Sequence, residues 1–163
     1  RGRGVRDAAG RLAAEGGLVS GPFGGARLDL ELRRGARFYQ RLDYTDSDGT
    51  APDLTGYTAR LDIRANTDTA PAAAGTSILE FRTTPSGSQG TITLGSTETV
   101  TLTDGSTATA RIVDLDASAT LTAALSPTTG GAEHVYDLEL VSPGGAVDVL
   151  TSGLVTILAE VTR

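Results

Sequence analysis

The stretch YTARLDIR, residues 57–64, alternates strictly between apolar and polar side chains. Its apolar members are Tyr57, Ala59, Leu61 and Ile63. Because successive side chains of a β-strand point to opposite faces, this period of two predicts a strand with one buried face and one solvated face. The stretch therefore predicts that the chain folds around a β-sheet.

The same alternation continues through most of the chain. It occurs in residues 28–33, 36–45, 77–83, 90–94, 98–103, 108–115, 134–141, 147–150 and 154–161. Turn-forming pairs separate these runs, among them Asp-Gly at 104–105 and Ser-Gly at 152–153. Short strands with turn signals every 8–12 residues are typical of a sandwich or barrel. We therefore predict an all-β fold, an antiparallel β-sandwich of the Ig-like, Greek-key type.

One short helix is expected within this sandwich, between Asp116 and Leu125. Either Asp116 or Ser118 can cap its first turn, and Pro127 ends it, because proline cannot continue a helix.

Residues 1–26 show no strand alternation and are rich in glycine and arginine. They contain too few large apolar residues to fold alone, so we predict an extended basic N-terminal arm followed by a sandwich domain at 27–163. The formal charge is +5 over residues 1–41 and −11 over the remainder. This asymmetry favours an arm that binds an acidic surface on a neighbouring subunit, and the alternative is a solvated tail. A nucleic-acid partner is not expected, because no aromatic residue is interleaved with the arginines.

The composition removes several kinds of chemistry. The chain has neither cysteine nor lysine, so thiol nucleophiles, disulfides, thiolate metal sites and Schiff bases are excluded. No apolar run reaches the roughly 18–20 residues of a membrane-spanning helix. His134 is the only histidine, and no Gly-x-Ser-x-Gly motif accompanies it, so a structural role is expected.

Two acidic patterns resemble functional sites only in part. Residues 46–49, DSDG, suggest a calcium loop, but the first and twelfth positions of an EF-hand register would be Tyr44 and Thr55, which are not carboxylates. Two further acidic pairs lie on single strand faces, namely Asp114 with Asp116 and Asp137 with Glu139. A solvated face explains these pairs better than a glycosidase dyad. We therefore expect no catalytic residue, cofactor or metal, and a protein that is not an enzyme.

Three segments of the chain, in this order, carry a resemblance to a known family. They are residues 35–64 with DLTGY at 53–57, the helix that follows IVDL at 112–115, and residues 135–156 with YDLEL at 136–140. Together they resemble the Ig-like β-sandwich modules of tailed-bacteriophage virions, including the N-terminal, particle-attached domains of upper-baseplate proteins. The resemblance covers residues 28–163 and transfers no catalytic residue.

The resemblance implies a structural protein of the virion, assembled in the host cytoplasm and present in several copies. Its partners would be major capsid or tail and baseplate subunits, together with copies of itself, without a membrane. The residues expected to dock are Arg1, Arg3, Arg6, Arg11 and Phe23 in the arm, and Arg33, Arg34 and Arg37 at the junction with the body. The alternatives are a bacterial cell-surface or carbohydrate-binding sandwich, and a carboxylate-based hydrolase if two carboxylates converge in a deep cleft.

Overall fold

A computed structural model of the chain describes residues 26–45, 49–65, 77–101, 105–127 and 134–160, together with the backbone of 11–13 and 19–20. Strands make up most of these residues, so the all-β prediction is confirmed. The elements are β1 (Arg11–Ala13), β2 (Val19–Ser20), β3 (Ala26–Arg27), β4 (Leu30–Arg33), β5 (Phe38–Thr45), β6 (Thr58–Ala65), β7 (Ser77–Arg82), β8 (Gly90–Thr101), β9 (Thr107–Ala117), α1 (Ala119–Ala123), β10 (His134–Val141) and β11 (Val147–Leu158).

The strands form one curled, mixed sheet. Its order is β1-β5-β9-β8-β7-β6-β10-β11-β3-β2, and β4 also pairs with β11. Most neighbours are antiparallel, as predicted, but β3 and β4 run parallel to β11, and β7 runs parallel to β8. The contact between β7 and β8 consists of two residue pairs, so it is a narrow seam between two broader halves.

The core lies on the inner face of this curled sheet. Phe38 of β5 and Phe81 of β7 meet edge to face, with ring centroids 5.9 Å apart and an interplanar angle of 68°. Leu61 and Leu138, on the paired strands β6 and β10, are fully buried. The alternation that predicted the strands therefore also predicted which of their side chains form the core.

The helix is present and shorter than expected. Its N-cap is Ser118, whose hydroxyl accepts a hydrogen bond from the backbone N–H of Leu121 at 3.4 Å. Asp116, the other predicted cap, belongs to β9. Thr122 ties the helix to the body, because its hydroxyl donates to the carbonyl of Ala36 at 2.7 Å.

The predicted turn at Ser152–Gly153 is wrong, because β11 continues through it. A Cβ placed on Gly153 would lie 2.0 Å from the backbone oxygen of Leu28. Glycine is needed here to admit a neighbouring backbone, which is a use of strand glycine distinct from turn formation. The two strands expected at 90–94 and 98–103 are likewise joined in the single strand β8, Gly90–Thr101, with a register shift between Leu94 and Thr97. Residues 102 and 103 lie outside the described residues.

The predicted arm falls mostly outside the described residues, which include only 11–13, 19–20 and 26 from this segment. β1 pairs antiparallel with β5, and β2 pairs antiparallel with β3. These contacts lie at opposite ends of the strand order. The segment before β3 therefore adds strands to both ends of the sheet.

Gly153 offers a direct test of the close approach between β11 and the chain at Leu28. Gly153→Ala should lower the free energy of unfolding by about 1–3 kcal/mol or more, because the new methyl group would overlap backbone that has little room to move. Gly144→Ala is the matched control, since a Cβ at Gly144 would have only the Ser142 hydroxyl at 3.9 Å nearby. Urea unfolding of both variants measures the difference, and equal stabilities would contradict the described packing.

Candidate docking surface

Three of the predicted docking residues do come together. Arg33, Arg34 and Arg37 surround the turn that joins β4 to β5, and all three are exposed. The remaining predictions concern the arm, where Arg1, Arg3, Arg6 and Phe23 lie outside the described residues and Arg11 is described through its backbone in β1.

The junction turn is anchored to the helix. Its backbone is closed by a hydrogen bond from the N–H of Ala36 to the carbonyl of Arg33 at 3.2 Å. The Nε of Arg34 donates to the carbonyl of Ala123 at 3.0 Å. Arg34 therefore satisfies a carbonyl at the end of α1, which the helix itself leaves unpaired. Arg34 is therefore exposed and at the same time bonded to another part of the chain.

Arg37 forms a two-pronged ion pair with Asp116 of β9. Its Nε lies 2.9 Å from one carboxylate oxygen, and its Nη2 bonds the other. The hydrogen bond and charge of Asp116 raise the pKa of Arg37, and the hydrogen bond from Arg37 lowers the pKa of Asp116. The same guanidinium lies 5.7 Å from the ring centroid of Tyr39, within range of a cation–π contact.

A polar row therefore runs along the outward side of β5, β9 and β8, which we name the β5 face. Tyr39 is half exposed, and its hydroxyl donates to Asp114 at 2.8 Å. Arg41 lies 2.5 Å from Glu98 of β8 and 3.3 Å from Asp43. Asp114 and Asp116, the first acidic pair noted in the sequence, are thus both engaged: Asp114 by Tyr39 of β5, and Asp116 by Arg37 in the turn before β5.

A second polar surface covers the outward side of β7, β6 and β10, which we name the charged face. Its side chains are Arg60, Asp62, Arg64, Glu80, Arg82, Asp137 and Glu139. All of these except Glu80 border a groove of about 380 Å³, with Val135 and Tyr136 also in its lining. Strand register places Glu80, Asp62 and Asp137 in one row, and like charges directly opposite each other are unfavourable.

Arginines from the adjacent rows offset most of this repulsion. Arg82 bridges Asp62 at 2.6 Å and Glu80 at 3.1 Å, and Arg64 reaches Asp62 at 3.1 Å. Arg60 pairs with Glu139 at 2.5 Å. Arg82 also donates to the carbonyl of Phe81 at 2.8 Å, which fixes its guanidinium against the sheet.

Asp137 is the remaining acid of that row, and it makes no ion pair with any described residue. Burial raises the pKa of Asp137, and the nearby charge of Glu139 raises it further, against a lowering by Arg64. Tyr136, its neighbour in the chain, points inward and donates from its hydroxyl to the carbonyl of Leu28 at 2.6 Å. Burial of this phenol raises the pKa of Tyr136 strongly.

The charged face does not provide two free carboxylates for acid–base chemistry. Asp62, Glu80 and Glu139 are each held in ion pairs with arginines, so Asp137 is the one acid of the charged face that no described arginine pairs. His134 pairs with Ala65 and Val155 across the strands, and its Nδ1 is buried without a hydrogen bond to the described residues. Among the described residues no cluster of three or more metal-binding side chains occurs, and residues 46–48 lie outside them.

Sequence reasoning identified the residues at the junction but not their partners. Asp116 lies 79 positions from Arg37, and Glu98 lies 57 positions from Arg41, so only the strand register brings them together. The sequence does show arginines and acids at alternate positions of β6 (Arg60, Asp62, Arg64) and at Arg41 and Asp43 of β5. This pattern indicates outward faces that carry charges of both signs.

Neither protein-family models nor curated proteins give a match to this chain. Within the described residues, no helix has the length and apolar character needed to cross a bilayer.

The pair Arg82–Asp62 should contribute more to stability than an exposed pair does. Both side chains are about a quarter exposed, whereas those of Arg27 and Asp29 are 46% and 58% exposed. A double-mutant cycle with Arg82→Gln and Asp62→Asn should give a coupling of about 1 kcal/mol, and the same cycle on Arg27–Asp29 should give roughly 0–0.5 kcal/mol. Equal couplings would contradict the described geometry.

Asp137 and Asp116 should affect stability in opposite directions. The raised pKa of Asp137 means that ionisation disfavours the folded state, and this penalty is present above its native pKa and absent below the unfolded value. Asp137→Asn should therefore raise the unfolding free energy at pH 7 and lose this effect near pH 3. Asp116→Asn should lower it at pH 7, because the lowered pKa of Asp116 stabilises the fold above its unfolded value. Denaturant unfolding at both pH values checks the signs, and destabilisation by Asp137→Asn at pH 7 would refute the assignment.

Proposed function

We propose that the chain is a non-enzymatic structural component of a tailed-bacteriophage virion. It is a multi-copy accessory protein that docks on capsid or on tail and baseplate subunits through its N-terminal segment and the surface of its body. The resemblance of residues 28–163 to Ig-like virion modules supports this role.

The strand connectivity is compatible with the Ig-like, Greek-key class that we propose for the body. β5, β9 and β8 form one antiparallel group, and β7, β6, β10 and β11 form the other. The chain crosses between the groups after β5, after β7 and after β9, and sandwiches with Greek-key connections contain crossings of this kind. β4 lies parallel to the final strand. The narrow seam between β7 and β8 is where the two groups meet along the sheet.

The observation that carries the proposal is the attachment of the arginine-rich N-terminal segment to outer strand edges. β1 adds to β5, and β2 adds to β3, each through backbone pairing. Backbone pairing with an edge is a common way for one chain to bind another. Repeated copies of such modest contacts add up in a particle, since each tethered contact raises the effective concentration for the next.

The outward faces fit the same role. On both the β5 face and the charged face, most acids are paired with arginines, so these faces carry little unbalanced charge for a small ionic substrate. A carbohydrate-binding module would need exposed aromatic platforms, and among the described aromatic rings Tyr39 is the one that is exposed. Its hydroxyl and one side of its ring are engaged by Asp114 and Arg37.

Incorporation into particles tests the proposal. We expect the full-length protein in purified tailed-phage particles assembled in cells that express it, and we expect the variant lacking residues 1–25 to be absent from them. The shortened protein should stay folded, because its core cluster lies within residues 28–157. Gly144→Ala is the control and should be incorporated at the full level. Quantitative mass spectrometry of the particles is the measurement, and absence of the full-length protein would refute the function.

A further inference from the structure

The exposed apolar side chains of the described residues are concentrated on one outward surface. Five large apolar side chains are exposed there, and Tyr39 is the one that belongs to the β5 face. The charged face and the outward side chains of β11 together form a broader surface, which we name the extended face. It carries the other four, which are Ile78, Val135, Val147 and Val149. Single exposed apolar residues are ordinary, whereas several on one surface indicate a contact site.

One apolar pair adjoins the groove. Val135 is part of the groove lining and lies opposite Arg64 across β10 and β6. Ile78 follows Ser77, which is the partner of Arg64 on β7. Both apolar side chains therefore lie next to the same arginine, at the end of the extended face where β10 begins.

The second apolar pair lies at the other end of β10. Val149 is the β11 partner of Glu139, and Val147 is the partner of Val141, the last residue of β10. Directly opposed residues of an antiparallel pair share one face, so both valines point to the same outward side as Glu139. A partner that covered the extended face would therefore meet apolar side chains on both sides of a polar centre.

The polar centre has one acid more than it has arginines. It consists of the three arginines and four acids of the charged face, which give a formal charge of −1. Every one of these acids except Asp137 is bonded to an arginine, so the excess charge falls on Asp137. This carboxylate borders the groove, two positions along β10 from Val135.

Ionised Asp137 is unfavourable in the isolated protein. Burial raises its pKa, the charge of Glu139 raises it further, and Arg64 offsets part of this effect. A partly buried carboxylate without a bonded cation destabilises the fold, so a cation supplied from outside would remove that cost. Perturbed acids that lie in a cleft are also more frequent at binding sites than elsewhere on a protein.

The extended face is large enough for a weak protein contact. It spans four strands about 4.8 Å apart and eight residues of about 3.3 Å each, which gives a flat area of roughly 500 Å². A stable interface buries about 800 Å² on each partner. A contact of this size is therefore weak by itself, and it suits a protein that is present in several copies.

We propose that the extended face binds a partner protein whose surface presents an arginine or lysine side chain between apolar side chains. The cationic head group enters the groove and pairs with Asp137, and the apolar side chains cover the two apolar pairs. A cation suits this face because each of its three arginines is already bonded to an acid. The inference rests on the proposed docking role, and it specifies the surface of the body and the chemistry of the partner.

Two short peptides with blocked ends test the preference for a cation. The probe is Val-Ser-Arg-Ser-Val, whose arginine and valines share one side of an extended strand, and the reference is Val-Ser-Gln-Ser-Val. In an NMR titration of the labelled full-length protein, both should shift the amide signals of β10. The arginine peptide should bind about threefold more tightly, the factor expected of a partly exposed ion pair. Equal affinities, or no shift with either peptide, would overturn the proposal.

Asp137→Asn should abolish the preference for the arginine peptide. The variant is expected to be more stable than the parent at pH 7, so unfolding would not explain the loss. Asp148→Asn is the matched control, because Asp148 is exposed and is the β11 partner of Leu140, whose side chain belongs to the core. Asp148 therefore lies on the other side of the sheet, and its variant should keep the full preference. Loss of the preference in both variants would overturn the proposal.

Sedimentation of the purified protein over a wide range of concentration tests a second copy as the alternative occupant. We expect the extended face to leave the protein monomeric. Dimers that Val147→Ser dissociates would mean that a second copy covers this face, which would overturn the proposal. All of these measurements use purified protein and peptides, so their outcome is independent of incorporation into particles.

Discussion

The close contact between the chain at Leu28 and strand β11 is the constraint on which the rest of the structure depends. The N–H of Leu28 donates to the carbonyl of Ser152 at 3.0 Å, and its carbonyl accepts from the hydroxyl of Tyr136 at 2.6 Å. The N–H of Leu154 donates to the carboxylate of Asp29 at 3.0 Å. Gly153 lies between these bonds and has no side chain, so the two backbones can meet. With this contact in place, β3 and β4 lie parallel to β11 and the first described strands of the body join its last.

The sequence predicted the strands of the body and their buried faces because period-two alternation is a local property. Leu61 and Ile63 of β6, and Leu138 of β10, are buried as their spacing indicates. It did not predict the parallel pairing of β4, since nothing within residues 30–33 distinguishes a parallel neighbour from an antiparallel one. The turn predicted at Gly153 is wrong for a related reason. A glycine next to a serine is a local signal for a turn, but this glycine is needed because the backbone of Leu28, distant in the sequence, packs against it.

In the candidate surfaces too, contacts between residues distant in sequence could not be predicted. Arg33, Arg34 and Arg37 were found because they are close in sequence, and the structure keeps them together around one turn. Their acceptors, Ala123 and Asp116, are fixed by how α1 and β9 pack, and no short motif encodes that. The charged face is a similar case: its row of three acids arises from the registers of β6 with β7 and β10, which are set by core packing.

The parallel pairing of β4 with β11 also has a mechanical consequence. β4 enters the body at its start and β11 leaves it at its end, and the two strands run in the same direction over four residue pairs. Tension applied between the two ends of the body would therefore load these strands in shear. The hydrogen bonds between them would have to break together instead of opening one at a time, which makes this arrangement resistant to stretching. A subunit pulled from both ends within a larger assembly would bear the load through this pair of strands.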